Sequence, residues 1–156
     1  IQNPSNRAFD PDPLEALVGH YEFENGSLLG GLSVSQEYPG FKGSGYVEFP
    51  ETVGNGIFIR SEDLYIPVSA TYAVKIHYSS DTNHTLRVVS GNFIDGSFAP
   101  ANAVDHLFLA TGGHDSWRTQ TVNLYFEAGP APQLKIVAYT EPGVNLDWLE
   151  LSLPQP

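Results

Sequence analysis

The stretch Ala-Thr-Tyr-Ala-Val-Lys-Ile-His-Tyr, residues 70–78, decides the fold class. Large apolar residues stand at every second position from Tyr72 to Tyr78, and smaller or polar residues stand between them. Side chains two apart in a β-strand point to the same face. The alternation therefore predicts a strand with one face in a core and the other turned to solvent.

Similar short runs continue on both sides of this stretch, separated by turn-forming residues, of which the chain has 15 Gly and 12 Pro. Strands are predicted at residues 20–24, 32–36, 44–50, 56–60, 63–67, 71–79, 84–90, 104–110, 117–126, 133–140 and 144–152. No run convincingly has the period of a long amphipathic helix. Many short strands with Gly and Pro turns predict an all-β protein, a β-sandwich of two antiparallel sheets.

The length of 156 residues fits one domain with a sizeable core. Residues 1–18 differ from the rest, because Asn3-Pro4-Ser5-Asn6 and Asp10-Pro11-Asp12-Pro13 are typical of turns and linkers. They are predicted to form a linker or N-terminal arm, and residues 19–156 the folded module. No stretch approaches the roughly 20 apolar residues of a membrane span, and no signal peptide is visible.

The net charge of −11, with only seven Lys and Arg, argues against two classes of partner. Binding to nucleic acids and to anionic membranes depends on basic residues, so neither partner is expected. The chain has no Cys, which excludes disulfides, thiol catalysis and Cys-ligated zinc. Secretion remains the preferred location, because secreted bacterial domains often use bound calcium in place of disulfides.

Three carboxylates near opposite ends of the chain suggest a cation site. Glu22 and Glu24 are two residues apart in Tyr21-Glu22-Phe23-Glu24-Asn25, so on a strand they would project from one face. Two like charges there raise each other's pKa unless a cation lies between them, and Ca²⁺ accepts several oxygens in irregular geometry. If the first and last strands pair, Asp147 joins them, and a structural calcium connects the two ends of the sandwich.

Two other interpretations of these carboxylates stay open from the residues alone. In the first, the three groups are solvated surface carboxylates. In the second, two of them form a catalytic pair, like the two carboxylates of glycosidases, which lie roughly 5–10 Å apart. The catalytic interpretation is disfavoured because nothing else in so small a chain builds a substrate groove.

Five segments, in order along residues 20–153, resemble the carbohydrate-binding modules of families 6 and 35. They are Tyr21-Glu22-Phe23-Glu24-Asn25, Gly43-Ser44-Gly45-Tyr46-Val47, the strand at 70–78, Thr111-Gly112-Gly113-His114-Asp115-Ser116-Trp117 and Val144-Asn145-Leu146-Asp147-Trp148-Leu149. Each segment alone is weak. Five of them in the family's order and at family-like spacing make the similarity fairly specific, and they span most of the chain.

The resemblance implies a β-jelly-roll sandwich whose structural Ca²⁺ is held by Glu22, Glu24 and Asp147. Backbone carbonyls near Lys42 to Ser44 would complete the coordination. A calcium ion that binds only the folded state is expected to raise its stability.

The resemblance also implies a ligand cleft in the loops at one end, at Tyr46, His114 and Asn145. In such a cleft aromatic faces pack on the C–H-rich face of a sugar ring, and polar groups bind its hydroxyls. The family usually has an aromatic residue, commonly Trp, where this chain has His114, so stacking area is lost. Tyr38 and Phe41 are spare aromatic residues that could supply the missing face.

Each cleft residue also has a plainer interpretation. Tyr46 would be a core tyrosine with a satisfied hydroxyl, His114 an exposed loop residue, and Asn145 a turn or ladder residue. Trp117 and Trp148 are predicted to be core residues rather than platforms for sugar.

The sequence thus predicts a monomeric, non-catalytic carbohydrate-binding module, covalently linked to the catalytic domain of a secreted glycoside hydrolase or polysaccharide lyase. Its ligand is a plant or algal polysaccharide or oligosaccharide, and the acidic surface, which suits a saline source, points to an agar-type galactan. Anionic polymers are disfavoured by the charge, although a second, exposed calcium could bridge a uronate carboxylate. The alternatives are a calcium-stabilised structural or adhesive sandwich without sugar binding, and a small glycan-active enzyme or lyase.

Overall fold

A computed structural model describes residues 15–29, 32–49, 56–59, 63–138 and 144–154. Within these ranges the chain forms eleven β-strands and one short 3₁₀ turn, Phe23–Asn25. In chain order the strands are β1 (Glu15–Glu22), β2 (Ser27–Leu29), β3 (Ser33–Ser35), β4 (Tyr46–Glu48), β5 (Gly56–Ile59), β6 (Ala70–Ser80), β7 (His84–Ile94), β8 (Ser97–Phe108), β9 (Gly113–Phe126), β10 (Pro132–Ala138) and β11 (Asn145–Pro154).

The described strands pair into two antiparallel sheets, which confirms the predicted all-β sandwich. The first sheet has the order β3-β4-β11-β6-β9, with β1 also paired to β11. The second sheet has the order β2-β5-β10-β7-β8. Among the described residues, no helix has the length and apolar character needed to cross a membrane.

Strand β11 holds the junction that positions the site. Strand β1 covers one end of β11, up to the pair Glu22 and Trp148, and β4 covers the other end, from the pair Val47 and Leu146. The register of β11 with β6 shifts between Leu146 and Trp148, so Asp147 lies in a bulge. Bulges redirect a side chain out of the regular alternation, and this one places Asp147 where β1 ends and β4 begins.

The alternation that decided the fold class is present in β6. The large apolar side chains from Tyr72 to Tyr78 are at most 1% exposed, whereas Lys75 is exposed and His77 partly exposed on the opposite face. Burying an apolar side chain of this size contributes roughly 1.5–3 kcal/mol. The shared core between the sheets therefore fixes which face of the strand turns inward.

Two predicted strands differ from the structure, and one observed strand was not predicted. Residues 63–67 form no strand in the part of the chain that the structure describes. Leu64 and Ile66 do alternate into the core, but the Tyr65 N–H donates to the Tyr21 hydroxyl (3.0 Å) instead of to a neighbouring strand. Of the strand predicted at 104–110, residues 104–108 are the end of the longer β8 and residues 109–110 form no strand, and β2 was not predicted. Alternating burial alone therefore does not make a strand.

Strand β1 begins at Glu15, which pairs with Pro154 in β11. Residues 15–18 of the predicted arm therefore belong to the sheet, whereas residues 1–14 lie outside the described residues. That those residues form a linker stays a prediction, as does the extent of the module. The predicted strand ends at 50, 60, 139 and 140 also lie outside the described residues.

His106 belongs to a hydrogen-bonded group between the edge strands β8 and β9. The Gln120 side-chain amide donates to His106 Nε2 (2.8 Å) and to the Leu107 carbonyl (3.1 Å), and its oxygen accepts from the Tyr78 hydroxyl (2.7 Å). Burial lowers the pKa of His106 below the ordinary 6.5. Protonation of Nε2 would set two donors against each other, so the folded state disfavours the charged imidazole.

Acid is therefore expected to destabilise the protein through His106. Because the folded-state pKa lies below the unfolded one, the unfolded chain binds more protons between the two values. The contribution of His106 to the free energy of unfolding is therefore fully present above about pH 6.5, and it is lost as pH falls through the folded-state pKa. Urea denaturation between about pH 7.5 and 5 measures the effect. His106→Gln should flatten that part of the profile, and an unaltered slope in the variant would contradict the assignment.

Candidate functional site

The three predicted carboxylates do come together. Oxygens of Glu22, Glu24 and Asp147, one from each residue, all lie within 4.8 Å of one another. We call these residues the carboxylate cluster. Glu22 is the last residue of β1 and Asp147 lies in the β11 bulge, so the pairing of the first and last strands assembles the cluster as predicted.

The prediction that Glu22 and Glu24 project from one face of a single strand is nevertheless wrong. Glu24 does not follow Glu22 along one strand, because β1 ends at Glu22 and Phe23–Asn25 form a 3₁₀ turn. Phe23 is fully buried in the core and holds that turn in place. The turn, and not the two-residue period of a strand, brings the Glu24 carboxylate beside that of Glu22.

Backbone and imidazole groups bind the Asp147 carboxylate on several sides. Asp147 is fully buried, and the Lys42 N–H donates to both of its oxygens at 3.1 and 2.9 Å. His77 Nδ1 lies 2.8 Å from Asp147 Oδ2, which requires that nitrogen to carry the hydrogen, since a carboxylate can only accept. Burial of the charge is compensated by these donors, and the direction of the side chain is fixed by them.

The two glutamates have spare acceptor capacity. The Ser44 N–H donates to Glu24 Oε2 (3.1 Å), and His20 Nε2 contacts Glu22 Oε2. The Oε1 atoms of Glu22 and Glu24 are both buried without a hydrogen-bond partner among the described residues. Burial, together with the neighbouring charges of Glu22 and Asp147, raises the pKa of Glu24 above 4.5. Unsatisfied buried oxygens on repelling carboxylates are the environment that a hard cation stabilises.

Gly43 gives the cluster its open side. Its φ is +66°, and a Cβ there would lie 2.9 Å from Glu22 Oε1 and against Glu24 Oε2. The space next to the two oxygens thus exists because residue 43 has no side chain. The donor set, the orphaned oxygens and this space fit a divalent cation. Lys42 contributes its N–H to Asp147, whereas the predicted metal contact of a Lys42 carbonyl stays a prediction.

The sequence predicts no role for His77, but the structure gives it one. Its ring lies between Trp148 (centroids 5.0 Å apart, planes at 15°) and Trp117 (5.3 Å, 20°), while Nδ1 faces Asp147. The alternation in 70–78 does place His77 on the outer face of β6. The neighbours of His77 could not be predicted from the sequence, because they depend on how β6 pairs with β9 and β11.

Two of the predicted sugar-binding residues lie below the surface. Tyr46 is fully buried, and its hydroxyl accepts a hydrogen bond from the Tyr38 N–H (3.2 Å). Asn145 is 1% exposed, and its amide donates to Ser79 Oγ (3.3 Å) and to His114 Nδ1 (3.2 Å). Direct sugar contact predicted for Tyr46 and Asn145 does not fit this burial, because neither side chain has free surface. The plainer interpretation of Tyr46 as a core tyrosine fits.

The remaining sugar-binding candidates lie at or near the surface. The His114 side chain is 28% exposed and stacks on Tyr38, with centroids 5.5 Å apart and planes at 27°. Tyr38 therefore packs on His114 and does not face it across a gap. Phe41 is half buried and packs on Tyr46 (5.7 Å). The structure thus brings Tyr38 and His114 together at the surface, with Asn145 and Tyr46 beneath them.

A cavity of about 560 Å³ lies elsewhere, beside β1. Its lining includes His20, Glu22, Asn25, Ile59 and Asp63. None of the predicted sugar-binding residues lines it, so among the described residues it is separate from the Tyr38–His114 surface.

No family model matches the chain. An exo-β-D-glucosaminidase of Amycolatopsis orientalis is 27% identical over 132 residues, which are 84% of this chain and 12% of that protein. An isomaltosyltransferase of Sporosarcina globispora is 27% identical over 109 residues, 70% of this chain and 9% of that protein. The chain thus spans about a tenth of the length of these curated relatives.

The solved structures that match the whole fold are smaller. A CBM35 from Paenibacillus barcinonensis has a TM-score of 0.72 and 25% identity, covering 87% of this chain and 99% of that one. The chain has the fold of the family 35 carbohydrate-binding modules and resembles them in sequence. A native family 35 carbohydrate-binding module from Clostridium thermocellum shares the fold, with a TM-score of 0.68, 21% identity and coverage of 88% and 96%.

The predicted resemblance is confirmed for family 35. This chain covers three of the solved chains almost completely, and all three are carbohydrate-binding modules. This is the non-catalytic class that the sequence predicts. Larger enzymes contain the fold as a part, including an isomalto-dextranase of Arthrobacter globiformis T6 complexed with panose, of which this chain covers 22% at a TM-score of 0.73.

Proposed function

We propose that this module brings a covalently linked, secreted polysaccharide-degrading enzyme to its polymer. The proposal depends on how much of each relative this chain covers. It covers 99% of a solved CBM35 but only 12% of an exo-β-D-glucosaminidase, so it corresponds to a whole binding module and to a small part of an enzyme. A linked binding module raises the local concentration of substrate around the catalytic domain without new chemistry. The chain acts as a monomer in this role.

The proposal includes Ca²⁺ as a structural ion in the carboxylate cluster. Glu22, Glu24 and Asp147 would hold it, and an oxygen-only, fully acidic donor set suits calcium. When bound, the ion supplies the positive charge that three carboxylates within 4.8 Å lack. The buried, unpartnered Oε1 atoms of Glu22 and Glu24 support this assignment.

Sugar would bind at the surface formed by Tyr38 and His114. Tyr38 offers an aromatic face, and the partly exposed His114 offers a flat ring with a hydrogen-bonding edge. Asn145 and Tyr46 act from beneath, since Asn145 contacts His114 Nδ1 and the Tyr46 hydroxyl binds the Tyr38 backbone. Their predicted roles thus become roles in orienting the two exposed rings.

The polymer that we favour is an agar-type galactan, on the basis of the acidic surface. Two observations widen the choice. A net charge of −11 attracts cationic chains, and one relative is named an exo-β-D-glucosaminidase, so chitosan belongs in any trial. A polyuronate would bind through calcium, if at all, and should then lose binding in chelator.

Affinity electrophoresis tests sugar binding directly. The module is run through gels containing agarose, β-1,3-galactan, dextran, chitosan, xylan or pectin, with calcium and with chelator. Retardation by one polymer is expected. Tyr38→Ala should weaken it roughly 2- to 10-fold, the worth of a lost aromatic stack. Tyr65→Ala is the matched control, because Tyr65 is 62% exposed and lies outside the proposed surface.

The second candidate is a structural or adhesive sandwich domain that binds calcium but no sugar. The stack of Tyr38 on His114 favours it, because the two rings contact each other and leave no slot between them for a sugar ring. Migration unaffected by every polymer, and by short oligosaccharides in titration, would select this function over the first.

A further inference from the structure

The loop between β3 and β4, residues 36–45, contacts both functional surfaces. Near its C-terminal end, the Lys42 N–H donates to both oxygens of Asp147 (3.1 and 2.9 Å), and the Ser44 N–H donates to Glu24 Oε2 (3.1 Å). Near its N-terminal end, Tyr38 stacks on His114 at 5.5 Å. The backbone that binds the carboxylate cluster thus continues within a few residues into the proposed sugar surface.

The middle of the loop lies against Trp117. Trp117 Nε1 donates to the Pro39 carbonyl (2.7 Å), and Gly40, with φ of +109°, passes so close that a Cβ would lie 2.9 Å from Nε1. Trp117 stacks on His77, and His77 Nδ1 faces Asp147 at 2.8 Å. A second route of contacts therefore leads from Asp147 through two stacked rings to the same loop.

Internal contacts connect the two ends of the loop. Gln36 Nε2 donates to the Ser44 carbonyl (2.5 Å) and closes its base. Phe41 packs on the buried Tyr46, whose hydroxyl also accepts from the Tyr38 N–H (3.2 Å). These contacts give a continuous path from the carboxylate end of the loop to Tyr38.

We propose that divalent cation binding at the carboxylate cluster and sugar binding at Tyr38 and His114 are thermodynamically coupled through this loop. The inference rests on the proposed function. Without a cation, the three carboxylates repel one another, and the backbone that donates to them follows their displacement. Neutralising them fixes Lys42 to Ser44, so sugar binding at Tyr38 no longer carries the full cost of ordering the loop. By linkage, sugar raises the affinity for cation by the same factor.

Titration calorimetry on the whole chain tests the coupling, with oligosaccharides of the polymer that retards the module most. The affinity for sugar should fall roughly 5- to 20-fold when calcium is replaced by chelator. The affinity for calcium should rise by the same factor in saturating sugar. The two tryptophans of the chain, Trp117 and Trp148, both stack on His77, so tryptophan fluorescence should also change when calcium binds.

Two glycine variants separate the loop from the sites it joins. Gly40→Ala forces the loop off Trp117 and alters no residue of the carboxylate cluster and not His114. Its sugar affinity in calcium should therefore match that of chelated wild type. Gly96→Ala is the matched control. Gly96 also has a positive φ, +82°, but a Cβ there meets nothing within 4 Å among the described residues. This variant should keep the full calcium effect.

Each outcome decides between the coupling and the function it rests on. Equal sugar affinity with and without calcium, while calcium still raises the melting temperature, overturns the coupling alone. If the melting temperature is the same in calcium and in chelator, the metal assignment is wrong, and the coupling is wrong with it. Absence of sugar binding in calcium overturns the proposed function itself. If calcium raises the sugar affinity of Gly40→Ala as much as that of wild type, the coupling does not pass through this loop.

Discussion

Chelation of calcium is expected to lower the melting temperature of the module by roughly 5–10 °C. A ligand present at about 100 times its Kd stabilises the folded state by about 2.7 kcal/mol, and each kcal/mol shifts the melting temperature by about 2–4 °C in a domain of this size. The physical reason is the arrangement of Glu22, Glu24 and Asp147, whose oxygens lie within 4.8 Å of one another. Calorimetric melting in calcium and in chelator measures the shift.

Asp147→Asn should abolish the response to calcium. The substitution keeps an oxygen for the Lys42 N–H but removes one negative charge from the cluster. In chelator the variant then loses little stability relative to wild type, because the charge it removes was repelling two others. Asp95→Asn, at an exposed hairpin position, is the control and should respond to calcium like wild type. A calcium shift that survives in Asp147→Asn would place the ion elsewhere.

The pH dependence in chelator gives the same site a second signature. Burial raises the pKa of Glu24 above its ordinary 4.5. The folded chain then binds more protons than the unfolded chain between these two values. The contribution of Glu24 to stability in chelator is therefore full below about pH 4.5 and is lost as pH rises through the folded-state pKa. Saturating calcium should remove this fall, since it replaces the proton as the neutralising charge.

The strand pattern and the carboxylates were readable from the sequence for different reasons. Burial of alternate residues from Tyr72 to Tyr78 is a local property, so a single segment sufficed to predict the strand and its inner face. The cluster joins residues more than 100 positions apart, and it was reached through like-charge repulsion together with the family resemblance. Neither argument could show that Glu24 stands on a 3₁₀ turn.

What the sequence did not reveal depends on contacts between distant segments. Tyr46 follows a Gly-rich stretch that suggests an exposed loop, yet it is fully buried and contacts Trp117 from another strand. His77 stands in a plain alternation and becomes a partner of Asp147 only through the pairing of β6 with β11. Alternation predicts which face a residue takes, but not what covers that face.

Gly43→Ala is expected to cost the module most of its calcium affinity, at least about tenfold or 1.4 kcal/mol. Residue 43 has φ of +66°, and a Cβ there would lie 2.9 Å from Glu22 Oε1 and against Glu24 Oε2. The methyl group would occupy the space beside the unpartnered Glu22 Oε1 and beside Glu24 Oε2, where a cation would contact the two carboxylates. Calcium titration followed by calorimetry measures the affinity, and chemical denaturation in chelator measures stability separately.

Backbone strain must be separated from loss of the metal site, and Gly96→Ala does so. An L-residue forced to positive φ costs about 1–2 kcal/mol at either position, but Gly96 has open space around it among the described residues. In chelator, Gly43→Ala should lose at least as much stability as Gly96→Ala, because its Cβ also meets the two glutamates, while Gly43→Ala alone should lose calcium affinity. If both variants bind calcium as wild type does, the carboxylates reach the ion from a side that Gly43 does not border. The space at Gly43 would then have no role in holding the cation.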